Sequence, residues 1–309
     1  MKKEKLLKHI GSVEQIGGIK DYTFNDGKAK GVRAIEINTG NLRFVILPDR
    51  GMDIAQCFYK AHAISWISKT EITSPQYYNK EGKEFLRGFY GGLITTCGLK
   101  NIGRPYGNEG LHGRIANIPA EKVSVSGEWQ GDDYVMKVSG TMRECAVFGG
   151  NLVLKRTITA RLFDDEFTVE DTLTNEGFSD EKIAFCYHCN FGYPLVRDGA
   201  KIVNVEPEIA DIHAPVHGTV EECIDVFHTG DFATAGIENG EIGAYITYKR
   251  DTMPEFLVWK MLGESEYVIG LEPRTTNFGG ENIVKNDSYV NLKPFEDYKT
   301  YLKFNFKDL

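Results

Sequence analysis

The chain lacks any apolar run near the ~18 residues that a membrane-spanning helix requires, so no helical membrane segment and no membrane partner are expected. The start, "MKKEKLLKHIGS", has positive charge but no apolar stretch behind it, so no signal peptide is read and a cytoplasmic location is expected. Basic charge is not in excess: 36 Lys and Arg against 44 Asp and Glu leave a net charge of −8, and no basic run occurs. That balance argues against a nucleic-acid partner. No G-x-G-x-x-G follows a strand-like segment, no phosphate-binding P-loop is present and crossover helices are few, which excludes a dinucleotide-binding βαβ fold. Repeats, low-complexity segments and linkers are missing too. Six cysteines in such a chain read as free thiols. Asn286-Asp287-Ser288 fits a glycosylation sequon, which has no meaning without secretion.

What the sequence does have is 41% hydrophobic and 12% aromatic residues, ample for a core. The dominant pattern has a period of two. Leu152, Leu154, Arg156, Ile158, Ala160 and Leu162 share one face, and Val153, Lys155, Thr157, Thr159 and Arg161 share the other. Asp164-Asp165 interrupts the run, which restarts at Phe167, Val169, Asp171 and Leu173, predicting a long hairpin. Further hairpins are predicted around Thr39-Gly40-Asn41 and Gly131-Asp132-Asp133. Later strands follow in "KIVNVEPEI", "IGAYITYKR", "FLVWKM", "YVIGLEP" and "TYLKFNF". Helical signals are confined to Lys5–Ile10 and Pro75–Phe85. The expected fold is all-β: one large antiparallel β-sandwich spanning residues 1–309.

Three polar positions stand out from this alternation. His112 lies in the glycine-rich "NEGLHGRIANIP". His188 lies in "CYHCNFGYP". Glu272 ends the apolar strand Tyr267–Leu271 in "VIGLEPRTTNFGG". A carboxylate emerging from a buried strand usually has a partner or a task, here either an ion pair with Arg274 or Lys260 or a chemical role. The Cys186-x-x-Cys189 spacing suggests zinc or redox chemistry. No second Cys or His pair of similar spacing exists, however, and "KIAFCYHCNF" reads as a strand rather than a helix opening. On that register His188 and Asn190 share one side and Cys189 takes the other. His213 and His217 form H-x-x-x-H, but Pro215 and Gly218 make the segment a loop. His9, His62 and His228 have no supporting neighbours.

Taken in order, "LHG", "YHCNFGYP" and "GLEP" resemble the sequential signatures of the galactose mutarotase (aldose 1-epimerase) family. "FTVEDTLTNEG" resembles that family's central strand pair, and "LRGFYGGLITTCGLKNIGRP" its arginine-bearing segment before the first histidine. The chain departs from the better-known members. Tyr187 precedes His188 where they often have asparagine, Asn190 stands two positions later, and "RGMDI" at Arg50–Ile54 replaces a glycine-rich strand. It resembles a divergent bacterial branch.

The resemblance implies a β-supersandwich enzyme that interconverts α and β anomers of an aldose. Ring opening removes a proton from the C1 hydroxyl and gives one to the ring oxygen. On the family pattern Glu272 is the base, His188 the acid, and His112 hydrogen-bonds the reacting oxygens. A nearby carboxylate is expected to raise the protonated fraction of His188. Binding candidates are Arg87, Asn190, Asp211, Lys260 and Arg274, then Arg50, with Trp66, Trp129 or Trp259 as stacking faces. The partner is a small-molecule sugar, neutral, acidic or phosphorylated, and no metal or organic cofactor is required. The sequence leaves monomer and homodimer open. Three other readings stay open: a glycoside hydrolase or lyase using Glu272 with Asp211 or Glu109, a non-catalytic sugar-binding module, and a metal-dependent cupin-like enzyme.

Overall fold

The computed structural model describes residues 2–309. In chain order the strands are β1 (Gly18–Thr23), β2 (Arg33–Asn38), β3 (Leu42–Leu47), β4 (Asp53–Tyr59), β5 (His62–Ala63), β6 (Thr95–Cys97) and β7 (Glu121–Gln130). There follow β8 (Asp133–Cys145), β9 (Asn151–Arg161), β10 (Glu166–Asn175), β11 (Glu181–Ile183), β12 (Cys186–Phe191), β13 (Lys201–Val203) and β14 (Glu222–Val226). The last are β15 (Phe232–Glu238), β16 (Ile242–Lys249), β17 (Glu255–Gly263), β18 (Glu266–Arg274), β19 (Val290–Leu292) and β20 (Asp297–Asp308).

These strands form an eight-stranded sheet (β13-β15-β16-β20-β10-β9-β8-β7), a five-stranded sheet (β14-β17-β18-β12-β6), a second five-stranded sheet (β1 to β5 in sequence) and the pair β11-β19. The ladders between the named strands are antiparallel. The hairpin expected at Asp164-Asp165 is β9–β10, in register from Phe167 opposite Ala160 to Asn175 opposite Leu152. Those at Thr39–Asn41 and Gly131–Asp133 are β2–β3 and β7–β8.

One core serves all the larger sheets. Ile35, Phe44 and Ile54 from the first sheet meet Val138, Ile158 and Phe304 from the eight-stranded sheet, and Tyr187, Val258 and Leu271 from the five-stranded sheet of β12. Period-two alternation selects these residues: one face of a strand enters this core, and the other meets solvent, the cleft or a smaller apolar cluster such as that of Ala34, Val45, Leu47 and Ala55.

Helix is scarce, as the sequence implies. Lys3–Leu7 forms α1 and Glu281–Lys285 forms α2. The expected Pro75–Phe85 helix is instead two 3₁₀ turns, Pro75–Tyr77 and Glu84–Arg87, separated around Gly82, whose φ of 53° breaks a right-handed helix. Helix α2, at five residues, is too short to show a periodicity in sequence. Among the described residues no helix is long and apolar enough to cross a membrane.

Candidate active site

β12 is buried along its whole length, and its two faces have different duties. Tyr187, Cys189 and Phe191 enter the common core. Cys186 and His188 face a cleft of about 920 Å³. The neighbouring strand β18 repeats the pattern: Ile269 and Leu271 pack inward while Glu272 and Arg274 face the cleft. Strand β18 runs to Arg274, because β17 continues beside it to Glu255, so Glu272 lies inside the strand rather than at its end.

The two faces meet at one contact. His188 Nε2 lies 3.1 Å from Glu272 Oε1, with both side chains nearly buried. Space for the carboxylate is made two residues earlier: a Cβ at Gly270 would sit 3.0 Å from Glu272 Oε1 and 3.2 Å from Trp259 Cβ. Cys186 Sγ lies 3.7 Å from Glu272 Oε2.

His112 arrives from a loop. Its backbone takes a left-handed φ of 58°, an uncommon conformation for a side-chain-bearing residue. The loop is locked there: His112 N donates to Gly103 O at 2.8 Å and its carbonyl accepts from Gly98 N at 3.0 Å. Gly113 follows with φ 69°, and a Cβ there would meet Gly98 O at 2.2 Å, so only glycine fits. His112 Nδ1 accepts from Gly103 N at 3.3 Å, which leaves Nε2 as the protonated nitrogen. The two imidazoles stand edge to face with centroids 5.6 Å apart. Phe89 and Trp259 complete an aromatic cage around His188 at 5.4 and 5.2 Å, and Phe85 packs on His112 at 5.5 Å.

Removal from water sets the protonation states. Burial lowers His188 to about 4, partly offset by the neighbouring Asn190 side chain. Burial also lowers His112 to about 4, with the nearby His188 adding to the effect. Burial raises Glu272 to about 7, against the pull of His112 and Arg274. The expected rise of His188 beside a carboxylate is therefore reversed. Desolvation of two charges outweighs their attraction, and the pair favours one shared proton over an ion pair.

The sequence-derived residues divide as follows. Glu272, His188, His112, Arg274 and Trp259 line the cleft. Arg274 is held by Asp225. Asn190 is fully buried behind His188 and outside the lining. Arg87 does not reach the cleft: its side chain is 79% exposed and pairs with Glu84 at 2.9 Å. Arg50 is buried among loops, donating to the carbonyls of Ala116, Thr73 and Gly88, and is spoken for by the backbone. Lys260 takes the face of β17 opposite Trp259 and reaches Glu222 at 3.5 Å. Asp211 sits exposed in a loop. Glu109 pairs with Arg114, Trp129 packs on Tyr134 in the β7–β8 hairpin, and Trp66 stands behind Trp259 at 6.2 Å.

Cleft residues not foreseen are Phe85, Phe89, Lys83, Arg104, Glu221, Cys223 and Asp225. The last three carry a signal in retrospect, since they alternate along "TVEECIDVF" as one face of a strand. The C-x-x-C is split across β12, Cys186 to the cleft and Cys189 to the core, and all six cysteines are free. No group of three or more His, Cys, Asp or Glu side chains among the described residues is arranged to hold a metal ion.

The family model for the domain of unknown function DUF4432 matches residues 29–306. The chain belongs to the DUF4432 family. No curated protein matches it by sequence. Solved structures that it resembles include a Klebsiella pneumoniae protein provisionally assigned as an aldose 1-epimerase, at TM-score 0.88 and 20% identity over 99% of this chain and 86% of that one. A galactose mutarotase-like protein from Clostridium acetobutylicum aligns at TM-score 0.62 and 13% identity over 96% of this chain and 100% of that one. Another from Lactobacillus casei aligns at TM-score 0.58 and 15% identity, covering 89% and 100%. At these identities the likeness establishes the fold. This DUF4432 chain has the galactose mutarotase-like β-sandwich.

Proposed function

We propose that this DUF4432 protein is an aldose 1-epimerase that interconverts the anomers of a sugar by proton transfer through the His188–Glu272 pair. The reading is carried by the 3.1 Å contact between an imidazole and a carboxyl group inside a cleft of about 920 Å³. A volume of this size falls within the ~300–1,000 Å³ range of small-molecule sites. Opening a hemiacetal breaks the bond between C1 and the ring oxygen. One group takes the C1 hydroxyl proton while another protonates the ring oxygen. Rotation about C1–C2 and closure on the other face of the carbonyl run the two transfers backward. Two adjacent groups with one proton between them suit this exchange, because the reaction consumes and produces no net proton.

His112 supports the reading by offering an N–H from Nε2 beside the pair, where charge develops on the reacting oxygens. The faces of Trp259 and Phe89 offer surfaces for the apolar side of a sugar ring. The polar groups Glu221, Asp225 and Arg274 offer hydrogen bonds to hydroxyls. In the hydrolase alternative a second carboxylate must act as well. Here Asp225 is engaged by Arg274, and Glu221 accepts the indole N–H of Trp259 at 2.9 Å.

The test is polarimetry of freshly dissolved aldoses, neutral, acidic and phosphorylated, with and without the protein. The reading expects at least one sugar to reach its equilibrium rotation well ahead of buffer. Thermal stabilisation by sugars with no acceleration of any of them would replace the enzyme with a sugar-binding protein. Release of reducing sugar from oligosaccharides would replace it with a hydrolase.

A further inference from the structure

Two cations line the cleft with nothing to pair with. Lys83 and Arg104 are exposed and make no ion pair or side-chain hydrogen bond among the described residues, although the chain has 44 acidic residues against 36 basic ones. Glu84, next to Lys83 in the chain, is held by Arg87 at 2.9 Å. Both cations belong to the segments that seat His112. Lys83 precedes the turn Glu84–Arg87, whose Phe85 packs on His112 at 5.5 Å. Arg104 follows Gly103, which accepts from His112 N at 2.8 Å and donates to its Nδ1 at 3.3 Å. Gly280 N donates to Ile102 O at 2.8 Å, and a Cβ at Gly280 would lie 2.6 Å from Arg104 O, so the Arg104 backbone is packed against the 277–279 loop that also lines the cleft. The acids of the lining, by contrast, are engaged. Glu221 accepts the Trp259 indole N–H, Asp225 accepts from Arg274 Nη2, and Glu272 contacts His188. Arg274 adds a third cation, engaged by Asp225 through Nη2 and with its Nε buried and unpaired.

We propose that Lys83 and Arg104 bind an anionic group of the sugar, a phosphate, sulfate or carboxylate carried away from the anomeric carbon, so that the substrate is an anionic aldose. This deepens the epimerase reading and rests on it for the placement of C1 and the ring oxygen at the His188–Glu272 pair. The anionic substituent then extends from the ring towards the loops of Lys83 and Arg104. A cleft of about 920 Å³ stands at the upper end of the ~300–1,000 Å³ range of small-molecule sites, which leaves room beyond one pyranose ring for such a substituent. The guanidinium of Arg104 presents paired N–H groups that match two oxygens of an oxyanion, and Lys83 adds a compact point charge. A chain with a net charge of −8 repels an anion at long range, and unpaired cations on the cleft loops reverse that repulsion locally. A neutral sugar leaves both cations hydrated and gains nothing from them.

The experiment is binding calorimetry at neutral pH and low salt. The panel is glucose and galactose, their 6-phosphates, glucose 6-sulfate, glucuronate and galacturonate, with inorganic phosphate as the anionic group alone. At least one anionic sugar is expected to bind wild type roughly 10- to 100-fold more tightly than its neutral parent, the worth of one charge-assisted contact. Sodium chloride is expected to erode that margin. The arm that binds distinguishes phosphate, sulfate and carboxylate. The double variant Lys83→Gln, Arg104→Gln changes two exposed side chains and is expected to lose most of the margin with a native circular dichroism spectrum. An anionic panel that binds no better than its neutral parents overturns the proposal, and so does a folded double variant that keeps the wild-type margin. Inorganic phosphate binding as tightly as the sugar phosphates also overturns it, because the cations would then hold a free anion rather than a sugar. Anomer exchange followed by NMR separates this proposal from the reading beneath it. Tight binding of an anionic sugar without faster exchange removes the epimerase and leaves the anion site standing. Faster exchange of neutral aldoses in preference to anionic ones keeps the epimerase and overturns the anion site.

Discussion

Glu272, His188 and His112 are ionisable groups taken out of water, and their effect on stability follows from that. Each histidine sits at about 4 in the folded chain against ~6.5 unfolded. Between those values the unfolded chain binds more protons, so stability falls as pH drops from 6.5 towards 4. Glu272 acts in the opposite direction: raised from 4.5 to about 7, it costs stability as pH climbs through that window. Melting curves across pH 4.5 to 8 are expected to show His112→Asn gaining on wild type at the acid end and Glu272→Gln gaining at the neutral end. Parallel curves for all three proteins would contradict these assignments. Gly270 belongs to the same account, since a methyl group there meets the Glu272 carboxylate and the Trp259 side chain. Gly270→Ala is expected to lower turnover by about 10²-fold, the cost of a misplacement near 1 Å, while circular dichroism stays native. Undiminished turnover would show that the carboxylate position is not critical.

β12 is fixed from the side opposite the cleft. Tyr187 OH donates to Asp171 Oδ2 at 2.7 Å and also meets Thr300. Asp171 is clamped by Arg156 at 2.9 and 2.7 Å, and Arg156 reaches Asp53 at 3.1 Å. Asp53 in turn accepts from Thr96 on β6. Thus one buried network holds the two adjacent strands that carry His188 and its backing. Tyr187→Phe removes a hydrogen bond to a charged group and is expected to cost ~1.5–3 kcal/mol in urea unfolding, with turnover within a few-fold of wild type. A large loss of turnover at unchanged stability would place the hydroxyl in the chemistry instead. The long hairpins were legible from sequence because alternation and acidic or glycine turns mark them directly. The face that runs from Glu221 into β14 at Cys223 and Asp225 is just as regular, but nothing in one strand's pattern says that its polar face borders a cleft. Pro75–Phe85 forms two 3₁₀ turns rather than a helix, since a few apolar residues at helical spacing cannot outweigh Gly82.

Across the whole molecule, the sandwich brings residues 112, 188 and 272 together from three separate segments. The order and spacing of their motifs allowed that convergence to be anticipated through resemblance. The same reading could not sort the cations. Arg50, Arg87 and Lys260 each found a partner away from the cleft, because the direction of a long side chain depends on contacts that sequence spacing does not encode. Arg104 and Lys83 line it without having been singled out. Nor could the charge state of His188 be read, because its value is set by how completely the fold excludes water.

The most direct measurement is anomer exchange by NMR on a sugar that the wild-type protein turns over, repeated with Glu272→Gln and His188→Asn. The pair's proton relay predicts that each substitution slows exchange by ~10²–10⁴-fold while the native spectrum is kept. Exchange at the wild-type rate in either folded variant would contradict it.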